Sequence, residues 1–188
     1  MFSKLITDYT RGKSSWKAAA SRGDAHSSVV LIGIGNEFRS DDGVGILLAR
    51  RLREKKMPGV VVQEHSGEGV SLIDLWNRHD SVFLMDAVSS GSLPGTVTRL
   101  DLGMEGIPHA LKPFSTHAFG VGEGIGLARN LYRLPARLIM YGIEGRTFTA
   151  GTLLSPDVSA IFEEVVQLIS AELSYLAAEV NTLRNGSV

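Results

Sequence analysis

Short apolar runs alternate with stretches of helical spacing along most of this chain, and that alternation restricts its fold more than any other feature. The runs at 29–34, 60–62, 81–86 and 137–143 are rich in β-branched and large apolar residues, which predicts buried strands. A fifth run, at 96–102, alternates apolar and polar residues and predicts a strand with one exposed face. Because it follows the third run after a short link, we expect one antiparallel strand.

Four helices are expected between and after these runs. Apolar residues lie at helical spacing at 41–52, 70–76 and 118–132, and along a C-terminal stretch that begins with proline at its first helical position, Pro156. Ser40 is placed to cap the first of these helices. Strands that alternate with helices predict an α/β sandwich with a mainly parallel sheet.

Size and composition are consistent with one soluble domain. The chain has 188 residues, of which 44% are hydrophobic. We predict a single domain at 28–188, preceded by a flexible arm at 1–27. No signal peptide and no apolar run of membrane-spanning length is recognisable, so we expect a cytoplasmic protein. With a net charge of -1, no nucleic acid or membrane partner is expected, and nothing demands more than a monomer.

The glycine-rich segment 33–45, GIGNEFRSDDGVG, is the first candidate for chemistry. It lacks the third glycine of the G-x-G-x-x-G nucleotide fingerprint. Asp41 and Asp42 also stand where a helix N-terminus would otherwise receive a phosphate. We therefore expect no nucleotide cofactor. Taken alone, the two aspartates have an ordinary interpretation as favourable charges at a helix start.

Three side chains together predict a metal site. In a parallel sheet, ligands bind beyond the carboxyl ends of the strands, which brings 33–36, 64–69 and 86–89 to one rim. Asp42 and Asp86 belong there, and His117 precedes a helix. Each has an ordinary alternative as a solvated or capping residue. Two carboxylates and an imidazole would suit nickel, iron, manganese or zinc without selecting among them.

Other hydrolytic arrangements are missing from the sequence. There is no H-E-x-x-H zinc motif, no G-x-S-x-G nucleophile turn and no D-[ST]-G motif of aspartic proteases. The chain has no cysteine, which removes disulfides, thiolate metal ligands and a cysteine nucleophile.

Six motifs in a fixed order resemble those of the hydrogenase maturation protease family. They are GIGNEFRSDDGVG at 33–45, HSGEG at 65–69, LMDAV at 84–88, PGTV at 94–97, STHAFG at 115–120, and YGIEG with SPDV at 141–145 and 155–158. The resemblance implies a three-layer α/β/α sandwich of phosphorylase/hydrolase-like type, with a twisted, mostly parallel five-stranded sheet. It also implies an endopeptidase that removes the C-terminal extension of a nickel–iron hydrogenase large-subunit precursor after nickel insertion.

The resemblance also assigns roles to residues. Asp42, Asp86 and His117 match the family's metal-contacting positions, the first of which is glutamate in some members. Nickel would be supplied by the precursor. It would either polarise the scissile carbonyl or serve only for recognition, with Asp42 or Asp86 as the catalytic base. Peptide binding is predicted for six further rim residues: Gly33, Asn36, Asp41, Gly67, Glu68 and Gly69.

Two alternatives remain open at this point. A non-proteolytic nickel-binding chaperone or sensor could use the same three residues on the same fold. A peptidase of this family could also act on some other precursor.

Overall fold

The computed structural model describes residues 29–76, 79–102 and 121–185, with side chains of the last helix described up to residue 176. The predicted arm at 1–27 and the predicted ligand His117 lie outside these residues. No helix in the described part is both long and apolar enough to cross a membrane.

A five-stranded sheet forms the centre of the molecule, in the order β2-β1-β3-β5-β4. Its strands are β1 (Val29–Ile34), β2 (Val60–His65), β3 (Ser81–Val88), β4 (Val97–Asp101) and β5 (Arg137–Glu144). The first three and β5 pair in parallel, and β4 pairs antiparallel with β5 at the edge. The expected antiparallel strand is confirmed. Its partner is β5, which lies between β3 and β4.

Helices cover both faces of this sheet. They are α1 (Val44–Glu54), α2 (Gly69–Trp76), α3 (Val121–Asn130) and α4 (Pro156–Asn185). One apolar core joins α1 and α4 to one face of the sheet, and a second core joins α2 and α3 to the other. The central strands β1, β3 and β5 are almost wholly buried because both of their faces are covered. The predicted three-layer α/β/α architecture is confirmed.

The segment before α1 differs from the expectation. Residues Ser40–Gly43 form a short 3-10 helix, and no side-chain oxygen caps it or α1. The predicted cap at Ser40 is therefore wrong. Ser40 has a φ of 53°, and its hydroxyl donates to the carbonyl of Thr149, 3.1 Å away. A contact with a distant loop has replaced the local capping bond.

A buried ionic network joins the edge of the sheet to α4. The Arg99 guanidinium on β4 donates two hydrogen bonds to the Glu172 carboxylate, at 2.9 and 2.6 Å. The Tyr141 hydroxyl on β5 donates a hydrogen bond to the same carboxylate. Every group in this network thus has a charged or polar partner.

Candidate active site

The carboxyl ends of three neighbouring strands meet at one edge of the sheet. Gly33 on β1 pairs with Glu64 on β2 and with Met85 on β3. The ranges 33–36, 64–69 and 86–89 therefore follow one another along the same rim, as the sequence predicted.

Gly35 lets the chain turn back over the end of β1. Its φ is 137°, and an added Cβ would collide with the carbonyl oxygen of Asp42. That carbonyl accepts a hydrogen bond of 3.2 Å from the amide of Asn36. A side chain at Gly35 would separate these two backbones, so the turn that carries Asp42 requires glycine there.

Gly45 brings the start of α1 directly onto the sheet. A Cβ at this position would collide with the carbonyl oxygens of Ile34, at the end of β1, and of Met85 within β3. This close approach carries Asp42, three residues earlier, to the strand that bears Asp86. Two glycines of the 33–45 motif thus serve backbone packing around a carboxylate.

Asp42 and Asp86 form a buried acidic pair. Asp42 is 2% exposed, and its Oδ2 atom has no hydrogen-bond partner among the described residues. Asp86 is 9% exposed. Burial and, to a smaller extent, the negative charge of Asp42 raise the pKa of Asp86 to about 7, although a hydrogen bond from the Ala87 amide opposes them.

This pair has the chemistry of a cation or proton site. A buried carboxylate oxygen without a partner is costly unless something else interacts with it. Two neighbouring carboxylates are relieved either by sharing a proton or by binding a positive ion. Nowhere in the described ranges do three histidine, aspartate or glutamate side chains cluster closely enough to hold a metal ion. A third ligand at His117 stays a prediction.

Asp41 has a different environment from its neighbour. It is fully buried, and its Oδ2 accepts hydrogen bonds from the amides of Arg146 and Thr147, at 2.8 and 3.0 Å. Its Oδ1 accepts a 2.7 Å bond from the amide of Ser155. Such a carboxylate has no surface to offer a peptide, so the geometry gives no support to the prediction that Asp41 binds substrate. Its role in this structure is to hold a loop.

Glu68 caps a helix at the rim. Its carboxylate accepts hydrogen bonds from the amides of Val70 and Ser71, both at 2.9 Å, and from the Ser71 hydroxyl at 2.5 Å. These bonds lower the pKa of Glu68 to about 2. The side chain is exposed, so substrate contact there stays a prediction beside this capping role.

The four remaining residues predicted to contact a peptide differ in their solvent exposure. Asn36 is exposed, and its side-chain oxygen accepts a 3.0 Å bond from the amide of Phe38. Gly33 is buried beneath α1, and Gly69 lies against Gly124 of α3. Gly67 is buried with a φ of 88°, and its amide donates to His65 Nδ1. Of these four residues, Asn36 alone offers an exposed side chain to a peptide.

Sequence reasoning did not single out Glu144. This residue ends β5 opposite Val88, is 4% exposed, and accepts bonds of 2.8 and 2.9 Å from the amides of Ser90 and Gly91. The Ser90 hydroxyl donates to it as well, at 2.7 Å. Glu144 therefore holds the loop that follows β3. The available signal was its place at the end of a buried strand. The sequence predicted the same place for Asp86, although β3 continues to Val88.

Comparisons with known proteins identify the family of this chain. A family model described as hydrogenase maturation protease matches residues 44–172, more than half of the chain. The chain is 29% identical over 154 residues to the hydrogenase expression/formation protein HupD of Thiocapsa roseopersicina, a match covering 79% of this chain and 67% of that protein. It spans 57–58% of the length of three further relatives of the HupM, HupD and HoxM types.

Solved structures share the fold. The [NiFe] hydrogenase maturation protease HybD of Thermococcus kodakarensis superposes with a TM-score of 0.62 at 29% identity, covering 77% of this chain and 97% of that one. The hydrogenase maturating endopeptidase HybD of E. coli gives 0.66 at 22% identity, covering 79% and 93%. No comparison supports the alternative of a non-proteolytic chaperone or sensor. The predicted fold and enzyme class are confirmed, and this chain belongs to the hydrogenase maturation protease family.

Proposed function

We propose that this chain removes the C-terminal extension of a nickel–iron hydrogenase large-subunit precursor after nickel has been inserted. The observation that carries the proposal is the buried Asp42–Asp86 pair at the rim of the sheet, in which one carboxylate oxygen has no partner within the described ranges. The similarity to a [NiFe] hydrogenase maturation protease of Thermococcus kodakarensis supports the substrate class.

Nickel enters this proposal as part of the substrate. Asp42, Asp86 and His117 would offer oxygen and nitrogen donors to open positions on nickel that the precursor already holds. Asp42 Oδ2, which no described residue contacts by a hydrogen bond, and the mutual repulsion of the two carboxylates fit such a positive ion. Docking would then depend on nickel, so an unloaded precursor would escape cleavage.

Asp86 is the better candidate for the catalytic base. In the metal-free chain a pKa of about 7 lets its carboxyl group both accept and return a proton near neutral pH, and Asp86 would keep this role if Asp42 and His117, and not Asp86, hold the nickel. It would take a proton from water as the water oxygen adds to the scissile carbonyl carbon. As the carbon–nitrogen bond breaks, it would pass that proton to the leaving amine. Nickel held beside the pair would supply polarisation of the carbonyl.

The direct test follows the mass of the precursor. Purified chain is mixed with nickel-loaded and with nickel-free large-subunit precursor, and intact mass reports the C-terminus of each. Loss of the extension only from the loaded precursor is the expected result. Cleavage of both forms would overturn the nickel requirement. Nickel-dependent binding without cleavage would favour the chaperone or sensor.

Variants assign the site. Asp42→Asn, Asp86→Asn and His117→Ala should each abolish or strongly reduce cleavage. The matched control is Glu163→Gln, because Glu163 is an exposed carboxylate on α4 that pairs with the surface residue Arg51. Full activity of Asp42→Asn and Asp86→Asn would remove the pair from the mechanism.

Compartment and assembly stay predictions. We expect a cytoplasmic monomer without nucleic-acid or membrane partners. Light scattering after size-exclusion chromatography would test the monomer, and a stable dimer at micromolar concentration would contradict it.

A further inference from the structure

Adjacent aspartates at the rim have opposite hydrogen-bonding states. The Asp41 carboxylate accepts three backbone hydrogen bonds, from the amides of Arg146, Thr147 and Ser155. The Asp42 carboxylate is also buried, yet its Oδ2 has no partner in the described part of the chain. Backbone N–H groups thus occupy both oxygens of Asp41, whereas one oxygen of Asp42 has no donor among the described residues.

The donors to Asp41 all come from one segment, the 145–155 loop, defined here as residues 145–155 between β5 and α4. The backbones of this loop and of the 3-10 helix also bond directly: the Asp41 amide donates to the Thr147 carbonyl at 3.1 Å, and the Ser40 amide donates to the Gly151 carbonyl at 2.7 Å. The loop therefore fixes the backbone immediately before Asp42.

We infer that Asp41 is a positioning residue for Asp42: its bonds to the 145–155 loop hold the 3-10 helix so that the Asp42 carboxylate reaches the precursor-bound metal. This inference rests on the proposed function, because it assigns Asp41 a part in that same site. A displacement of about 1 Å at a reacting group can cost on the order of a hundredfold in rate or affinity. Loss of these bonds should therefore impair Asp42 even where the fold survives.

Asp41→Asn is the conservative test. The new amide keeps one acceptor oxygen and turns the other atom into a donor that faces a backbone N–H. This variant would thus lose at least one of the three bonds without a change in side-chain size. We expect the KM for nickel-loaded precursor to rise about tenfold, with a smaller change in kcat.

KM separates positioning from a merely structural role. A variant that is only less stable lowers the amount of folded enzyme, which lowers the apparent kcat and leaves KM unchanged. The matched control is Glu172→Gln, which weakens a buried carboxylate network beneath α4. At a temperature where circular dichroism shows both variants folded, Glu172→Gln should keep the KM of the unmodified chain.

A second variant perturbs the contact between Asp41 and the 145–155 loop from the side of the loop. An added Cβ at Gly145 would lie 2.5 Å from Phe148 Cζ and 3.2 Å from Asp41 Cβ. Gly145→Ala should therefore displace Asp41 while keeping its charge and size. It should raise KM in the same direction by a smaller factor, and it keeps the inference testable if Asp41→Asn does not fold.

Asp42→Asn separates failure of this inference from failure of the proposed function. Its affinity for loaded precursor is measured as Kd, since it is expected not to cleave. An unchanged Kd would remove Asp42 from the site and overturn the proposed function at that residue. A raised Kd in Asp42→Asn would instead keep the proposed function. In that case the positioning role alone would be overturned by an unchanged KM in Asp41→Asn and Gly145→Ala. An equal rise of KM in Glu172→Gln would overturn it as well.

Discussion

Two groups of buried polar side chains on the same sheet have opposite surroundings. Beneath α4, the Glu172 carboxylate accepts hydrogen bonds from Arg99 and Tyr141, so its charge is balanced and its oxygens are occupied. At the rim, the Asp42 and Asp86 carboxylates repel each other. Asp42 has an oxygen without a partner in the described part of the chain, and Asp86 has a raised pKa. Both groups are withdrawn from water.

The difference shows which buried charges stabilise the protein and which are kept at a cost. A balanced buried network resists disruption, because removing one member leaves the others unpaired. Two neighbouring buried carboxylates without a balancing positive charge lower the stability of the fold, and such pairs persist where function requires them. The two groups should therefore respond to mutation in opposite directions.

The largest expected effect is at the balanced network. Glu172→Ala would leave Arg99 and Tyr141 without their shared acceptor, and should lower the free energy of unfolding by roughly 3 kcal/mol. Urea denaturation measures this. The double change Arg99→Met with Glu172→Met should recover part of the loss, because the apolar replacement of Arg99 needs no partner while the buried Tyr141 hydroxyl still lacks its acceptor. A double variant as unstable as the single one would show that packing, and not the unpaired charge, dominates.

At the Asp42–Asp86 pair, by contrast, removing a charge should raise the stability of the fold. The pKa of Asp86 is about 7 in the folded chain and near 4 when unfolded, so the folded state binds a proton more tightly. Stability of the metal-free protein should therefore fall as pH rises from about 4 to 7. Asp86→Asn removes this loss. It should raise the free energy of unfolding by on the order of 2 kcal/mol at pH 8 and by almost nothing at pH 4.

Thermal unfolding of both proteins across this pH range tests that prediction. The same Asp86→Asn variant should lose cleavage while it gains stability. A destabilised Asp86→Asn at pH 8 would mean that the ionised carboxylate is balanced by a partner, which would remove the contrast between the two groups.

A smaller effect is expected at Glu144. Glu144→Ala removes the acceptor of the Ser90 and Gly91 amides and should cost about 1–2 kcal/mol. Glu144→Gln keeps one acceptor and should cost less. Chemical denaturation of the two variants gives the order, and an equal loss in both would show that charge matters more than the acceptor count.

The smallest effect is expected at Glu68. Its pKa of about 2 lies below the unfolded value, so its stabilisation is present above about pH 4 and is lost as pH falls toward 2. Because the carboxylate is exposed and caps only α2, Glu68→Ala should lower Tm by no more than about 2 °C near neutral pH. A loss of cleavage with unchanged Tm would instead support the predicted contact of Glu68 with substrate.

Much of the fold could be predicted from local pattern. The buried strands β1, β3 and β5 stand out because both faces are apolar, and the alternation with helices indicated the layered sandwich. The pairing of β4 with β5 could not be predicted, since it depends on the place that a later strand takes in the sheet. The cap predicted at Ser40 failed for a related reason: its hydrogen-bond partner, Thr149, is 109 residues away.

For the site, the sequence pattern identified the acidic residues but did not distinguish their individual roles. Asp42 and Asp86 were found because carboxylates follow a glycine turn and end a buried strand. Glu144 was missed although it ends β5 in the same way. Four of the six predicted peptide contacts are buried in the fold, at Gly33, Asp41, Gly67 and Gly69. The role of His117 stays a prediction.

The sequence by itself determined the α/β architecture, the rim on which the acidic residues lie and the family to which the chain belongs, because these depend on periodicity and on motifs read along the chain. Only the tertiary structure decided which of two adjacent, chemically identical aspartates is held by backbone amides and which keeps an oxygen without a partner among the residues described. The donors to Asp41 lie 105 to 114 residues further along the chain. Hydrogen bonds over such separations depend on how the loops meet after folding, and no local pattern encodes that meeting.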